Sequence, residues 1–183
     1  MAPENYRSNA EILNNLELLR QYLRRKYADQ STINRVGLLW ASTKLPGLLD
    51  PGQQESIIDE ALNKQQADGG WRLSALVWPW RTLGLSSLIR GWIREDGTPL
   101  DVNSDGYATG LIAFVLPQAG VPRDDAHLKR AVSWLMRNQN KTQGFWPSYS
   151  LNKRRSPSSD TALFMNDAAT AYAVLALAEN QRQ

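Results

Sequence analysis

The sequence predicts an all-α protein of roughly seven helices, on three observations. A motif of Gln, a short polar spacer, Gly, one residue and Trp occurs twice, as Gln66-Ala67-Asp68-Gly69-Gly70-Trp71 and as Gln139-Asn140-Lys141-Thr142-Gln143-Gly144-Phe145-Trp146. Each copy follows a segment of helical periodicity, and such repetition marks an array of similar units stacked on one another. No alternating apolar run bounded by hairpin turns is present, so strands are not expected.

The first helix is expected from about Ser8 to Tyr27, with Ser8 and Glu11 reading as a capping box. Ile12, Leu16, Leu19 and Leu23 form its apolar stripe, widened by Leu13 and Leu18. A second helix, about Ser31 to Lys44, carries Val36, Leu38, Leu39 and Trp40. Pro46-Gly47 and Asp50-Pro51-Gly52 then punctuate a loop. A third, about Gln53 to Gln66, is amphipathic and ends in the first motif. Arg72 to Asn103 is the least regular stretch, with Trp78-Pro79-Trp80, a helical piece near Leu83 to Ile93 and a turn at Glu95-Asp96-Gly97. A fifth helix follows at about Asp105 to Gln118. The sixth, about Asp124 to Asn138, opens on two acids, which suit a helix N-terminus. A final helix runs from Asp160 or Asn166 to Asn180.

The motif has a physical reading. Gly69 and Gly144 can take the positive φ that closes a turn after a helix without a Cβ penalty. Gln66 and Gln139 can bond the exposed backbone at the helix end, while Trp71 and Trp146 cover the turn and bury a large ring. The competing reading is two ordinary helix C-terminal turns that each carry a Trp.

With 183 residues and 42% hydrophobic content, the chain can bury the core of one domain spanning residues 1–183. No run approaches the roughly 20 apolar residues of a membrane span, so no transmembrane segment is expected. The net charge of +3 is modest. Arg24-Arg25-Lys26 and Lys153-Arg154-Arg155 read as solvated helix ends or loops, and no nucleic-acid motif accompanies them. With no Cys, disulfides, a thiol nucleophile and a thiolate zinc site are excluded. Met1-Ala2-Pro3-Glu4 does not read as a signal peptide and fits the edge of a fragment of a longer chain; the compartment stays open.

The run Arg130-Ala131-x-x-Trp134-Leu135-x-x-x-Gln139-x-x-x-x-Gly144-x-Trp146 resembles the QW repeat of squalene–hopene cyclases and related terpenoid cyclases. Protein prenyltransferase β-subunits carry a looser form. Ser104-Asp105-Gly106-Tyr107-Ala108-Thr109-Gly110-Leu111 and Asn166-Asp167-Ala168-Ala169-Thr170-Ala171-Tyr172-Ala173 resemble that family's inner helices, and the likeness covers roughly residues 53 to 180. It implies a barrel of about six helix pairs, a parallel inner ring wrapped by an outer one. About seven helices fill half of it, a partial α/α toroid whose terminal flanks need a cap or a partner.

The resemblance bears on chemistry as well. The cyclases protonate their substrate with Asp-x-Asp-Asp-Thr-Ala; here the nearest match is Pro157-Ser158-Ser159-Asp160-Thr161-Ala162. Ser159 stands where the proton donor would be, and Asp160 reads either as a residual acid or as the N-cap of the final helix. The prenyltransferase zinc site requires Cys, and the single His127 reads as a solvated residue of the sixth helix, so no metal site or cofactor is expected. Gly144-Phe145-Trp146-Pro147 and Phe164-Met165-Asn166-Asp167 faintly resemble toroidal pectate lyases, which would cast Asp160, Asp167 and Arg154 or Arg155 in calcium-binding and base roles. Helix capping by Asn166 or Asp167 is the alternative. Trp78, Trp80, Tyr107, Tyr149 and Tyr172 would line the barrel mouth, either filling core volume or stacking on an apolar ligand such as an isoprenoid.

Two functions follow from this reading: a non-catalytic repeat domain for binding or assembly, or an isoprenoid cyclase completed by a second toroid half. An apolar cavity holding a deep carboxylate favours the enzyme; a filled core with an apolar exposed flank favours assembly. A homodimer would bury that flank, on the second helix at Leu38, Leu39 and Trp40 or on the final one at Tyr172, Val174 and Leu175. The first helix, through Ile12, Leu16 and Leu19, is the competing cover.

Overall fold

A computed structural model describes residues 9–77 and 93–181. Within them the chain is all-α: α1 (Ala10–Lys26), α2 (Thr32–Ser42), α3 (Pro51–Asn63), the single turn α4 (Leu73–Leu76), α5 (Gly106–Gln118), α6 (Ala126–Asn138) and α7 (Asp160–Gln181). A 3-10 turn, Tyr27–Asp29, follows α1. The one extended pairing among these residues is an isolated bridge between Ile93 and Pro99. Ser8, Trp78, Trp80 and all but the last residue of the helical piece expected near Leu83 to Ile93 lie outside the described residues.

Local signals set the helix starts. Asn9 caps α1, its side chain accepting from Glu11 N at 2.9 Å. Asp50 and Gln53 form a full capping box ahead of α3, with Pro51 in the first turn. Asp105 and Asp125 cap α5 and α6. At α7 the expected cap moves by one residue: Ser159 Oγ accepts from Ala162 N at 3.3 Å, and Asp160 is already helical.

α5 is buried from Ala108 to Leu116 and forms the centre of the molecule. It lies between α2 and α7, with α6 packed against both α5 and α7. A Cβ built on Gly106 would meet Trp146 Cβ at 2.5 Å and Ala169 Cβ at 3.4 Å; one on Gly110 would meet Ala173 N at 2.6 Å. The contacts advance four residues along both helices, so α5 and α7 run parallel, in an approach that only small residues permit. α3 is clamped to α2 by Glu60, which accepts from Thr32 Oγ1 at 2.6 Å and pairs with Arg35 at 2.6 Å and Lys64 at 3.0 Å.

The two ends of the row α2–α5–α7 differ. Leu38 and Leu39 of α2 are buried, which overturns the expectation of an open flank there. Leu23 and Tyr27 pack against the core, the Arg35 guanidinium lies 5.9 Å from the Tyr27 ring centre, and Arg24 bonds the Gly47 carbonyl. The rest of α1 is looser: no residue of it is buried, and Leu13, Leu18, Leu19 and Tyr22 face solvent. On α7, Ala169, Ala173 and Ala176 face inward, whereas Phe164 is 73%, Val174 52% and Leu175 43% exposed. Apolar on both sides, this 22-residue helix is long and apolar enough to cross a membrane by length and composition, a property the sequence reading did not find.

Candidate functional site

The two motif copies fold into the same turn. Trp71 and Trp146 are buried, and each indole N–H donates to a carbonyl of the preceding helix: Trp71 Nε1 to Ala61 O at 2.7 Å, Trp146 Nε1 to Leu135 O at 2.8 Å. Each backbone N–H donates to a threonine of the next helix in the row, Trp71 to Thr109 Oγ1 at 2.9 Å and Trp146 to Thr170 Oγ1 at 3.1 Å. Gly69 and Gly144 hold φ of 95° and 81°, as the turn requires. Gln139 Nε2 donates to Gly144 O at 2.8 Å.

In the first copy the corresponding bond comes from Gln65, whose Nε2 donates to Gly69 O at 2.9 Å; Gln66 instead reaches Lys64 O at 3.0 Å. Lys64 caps the C-terminus of α3, so Gln66 bonds the helix-end backbone as expected of it, while the bond that Gln139 makes to its glycine is made here by Gln65. The backbone N–H of Gln66 pairs with Gly70 O as that of Asn140 pairs with Phe145 O, so Gln66 occupies the place of Asn140 in a loop one residue shorter. Gln65 also donates to His127 O at 2.8 Å and accepts from Arg130, tying the first turn to α6.

Polar groups gather where the turns meet the start of α5. The Asp68 carboxylate accepts from Gly70 N at 2.9 Å, Ser104 Oγ at 2.9 Å and Trp134 Nε1 at 3.0 Å. An open groove of about 260 Å³ runs past Asp68, Asn103, Trp134, Asn138 and Tyr149. Beside it Asp105 is almost fully buried, and burial pushes its carboxyl up to about 7 while the N–H groups of Ala108, Tyr107, Leu73 and Tyr149 pull the other way. The space between Asp105, Arg72, Asp101 and Tyr149 is about 10 Å³, room for about one water. Buried Arg94 closes this edge: Nε donates to Ser150 O at 2.7 Å, and the guanidinium bonds Pro99 O and Asp101. Asp96, at the expected turn, accepts from Thr98 Oγ1 and Arg154 N at 2.6 Å each; these bonds hold its carboxyl down at about 2.

Aromatic rings form a second feature. Trp40 meets Phe114 edge-on at 5.3 Å, Phe114 meets Tyr172 at 6.3 Å, and Tyr172 meets Tyr107 edge-on at 5.5 Å. Phe114 is buried and the other three are half-buried. Burial raises the Tyr107 hydroxyl above its ordinary value, helped by Tyr172 and Asp105. Burial does the same for Tyr149, which lies apart from the row, beside the Asp105 cleft.

Asp160 and Asp167 are exposed on α7. Arg154 and Arg155 engage Asp96 and Asn152. Among the described residues no three His, Cys, Asp or Glu side chains gather as a metal site would require. His127 is half-buried, with Nδ1 3.3 Å from Asp125 Oδ1. The residues that sequence reasoning missed are Gln65, Asp68, Asp105 and the threonines. A signal for the last existed: Ala-Thr-Gly at 108–110 and Ala-Thr-Ala at 169–171 recur in the two similar helices. Comparison with known proteins finds no matching family model, no matching curated protein and no matching solved structure.

Proposed function

We propose that this chain is a non-catalytic repeat domain, a partial toroid of the terpenoid cyclase and prenyltransferase kind, that acts by assembly with a protein partner. The observation carrying this reading is the outward flank of α7, where Phe164, Val174 and Leu175 stand exposed at the end of a packed row of helices. An apolar surface rimmed by polar residues is what an assembly domain presents. The likeness to the toroid family rests on the two Gly-x-Trp turns, each completed by a threonine of the next helix in the row α2–α5–α7.

The cyclase reading has less in its favour. Asp160, its only remaining acid, is exposed on α7 rather than set in a cavity. The core around α5 is filled by side chains. A second reading, an apolar ligand of isoprenoid type, is favoured by the Trp40–Phe114–Tyr172–Tyr107 row, whose half-buried rings offer π faces and edges.

Two measurements test the assembly reading. Incubation with squalene or farnesyl diphosphate is expected to yield no cyclised or transferred product. A surface-hydrophobicity dye is expected to bind the dilute chain and to lose most of its signal in the Val174→Lys, Leu175→Lys double variant, with the circular dichroism unchanged. A cyclised product lost on Asp160→Asn, or dye binding indifferent to the double variant, would overturn the reading.

A further inference from the structure

We infer that the outward flank of α7 takes a helix of a different protein, one that runs parallel to α7 and faces it with small residues spaced four apart. This names the kind of partner for the surface proposed above and rests on that reading.

The flank repeats one that is already filled. Thr109 and Thr170 hold the same place, each accepting the backbone N–H of the preceding motif Trp. Aligning them puts Gly106 on Asp167, Gly110 on Ala171 and Phe114 on Leu175. On α5 these three positions receive α7: Ala169 lies against Gly106, Ala173 against Gly110, and Tyr172 near Phe114. On α7 their counterparts Asp167, Ala171 and Leu175 are all exposed. The interface between α5 and α7 therefore continues into an open surface of the same spacing. What fits there is a helix in the orientation that α7 takes on α5, parallel to its neighbour.

The side chains of the flank state what that helix carries. Ala171 has one carbon more than Gly110, so the residue facing it has to be as small as Ala173 for the two helices to pack closely. Leu175, in the place of Phe114, calls for an apolar side chain one position earlier, where Tyr172 stands in the filled interface. Asp167 puts a carboxylate where Gly106 has no side chain. A partner that covers it has to offer a hydroxyl or a cation at the position of Ala169. A second copy of the chain does not supply this face, because its own Ala169 and Ala173 are already buried against α5.

The complementary face can be supplied as a peptide. A fluorescein-labelled peptide of residues 160–181 presents the Ala173 face free of α5; Phe164→Lys, Val174→Lys and Leu175→Gln remove its own outward flank, and Ala169→Ser gives a donor for Asp167. Fluorescence anisotropy against the whole chain should show saturable binding. Ala171→Lys in the chain should weaken it about tenfold or more, while Leu18→Glu on α1 should leave it unchanged. Ala173→Leu in the peptide adds apolar surface but blocks close approach, so it should also weaken binding, by about tenfold. The chain has no Cys, so disulfide trapping reads the orientation. Ala178→Cys in the chain should trap a peptide carrying Asn180→Cys and leave one carrying Thr161→Cys free. Circular dichroism checks that each chain variant folds. Binding indifferent to Ala171→Lys, tighter binding of the Ala173→Leu peptide, or equal or reversed trapping would overturn the inference. No peptide binding with dye binding retained would reject the parallel small-faced helix and leave the assembly reading in place. Loss of both would reject both.

Discussion

Gly110 lies so close to Ala173 that a Cβ on it would come within 2.6 Å of the Ala173 backbone nitrogen. The contact is with main chain, which cannot swing aside as a flexible side chain would. Gly110→Ala would gain helix propensity of roughly 1 kcal/mol. Overpacking costs typically 1–3 kcal/mol, and α7 would have to shift away from α5 to accept it. We expect a net loss of about 0–2 kcal/mol in urea unfolding; a clear gain would mean that the two helices are free to part.

Trp146→Ala should be among the most damaging single changes. It removes a buried ring and leaves Leu135 O without its indole donor at 2.8 Å. A loss of about 3–5 kcal/mol is expected from denaturant titration. Trp146→Phe keeps most of the apolar area and should cost about 1–3 kcal/mol, chiefly through the orphaned carbonyl. Equal effects of the two would place the stabilisation in the hydrogen bond rather than in the ring.

Gln65 and Gln66 should separate cleanly. Gln65→Ala loses bonds to Gly69 O and His127 O, both partly buried. It should lower stability by about 1–2 kcal/mol. Gln66→Ala loses one local bond to Lys64 O and should change stability by no more than about 0.5 kcal/mol. Thermal melts of the two variants side by side decide the point, and the reverse ranking would make the helix-end bond of Gln66 the stronger of the two.

Asp105 predicts a pH dependence with a definite sign. Burial raises its carboxyl in the folded chain from the ordinary 3.8 to about 7. Between those values the native state holds a proton that the unfolded chain has released. Stability from this group is therefore complete below about pH 4 and is lost as pH rises through about 7. Asp105→Asn cannot ionise and should flatten the fall between pH 5 and pH 8 by on the order of 1–3 kcal/mol. Urea midpoints of both proteins at the two pH values measure it. An equal fall in both would show that the four N–H groups around the carboxylate outweigh its burial.

Much of the fold was legible in the sequence because its signals are local. The acids before α6 and the positive φ of Gly69 and Gly144 follow from residues within a few places of one another, as does the capping box at Asp50, which the reading of Asp50-Pro51-Gly52 as a loop passed over. The exposed flank at Val174 and Leu175 followed from the repeat pattern, in which each inner helix is covered by the next. Long-range relations were less visible. Gln65 and Gln66 are adjacent and chemically identical, and only the pairing of Gln66 N with Gly70 O reveals which side chain closes the turn. Asp105 read as part of a helix start, and two of the backbone N–H groups that reach its carboxylate belong to Leu73 and Tyr149, distant in sequence. The burial of Leu38 and Leu39 likewise depends on how neighbouring elements pack over α2, which periodicity alone does not specify.

The bond from each motif Trp to a threonine further along the chain gives the protein an order of completion during synthesis. Trp71 lies 38 residues before Thr109, and Trp146 lies 24 before Thr170. On a ribosome, the main-chain N–H of Trp71 keeps water as its partner until α5 has emerged, and that of Trp146 until the middle of α7 has emerged. Each turn is thus finished by the unit that follows it. A nascent chain halted after α6 carries one closed turn and one still open, with the Trp146 ring lacking the helix that covers its backbone.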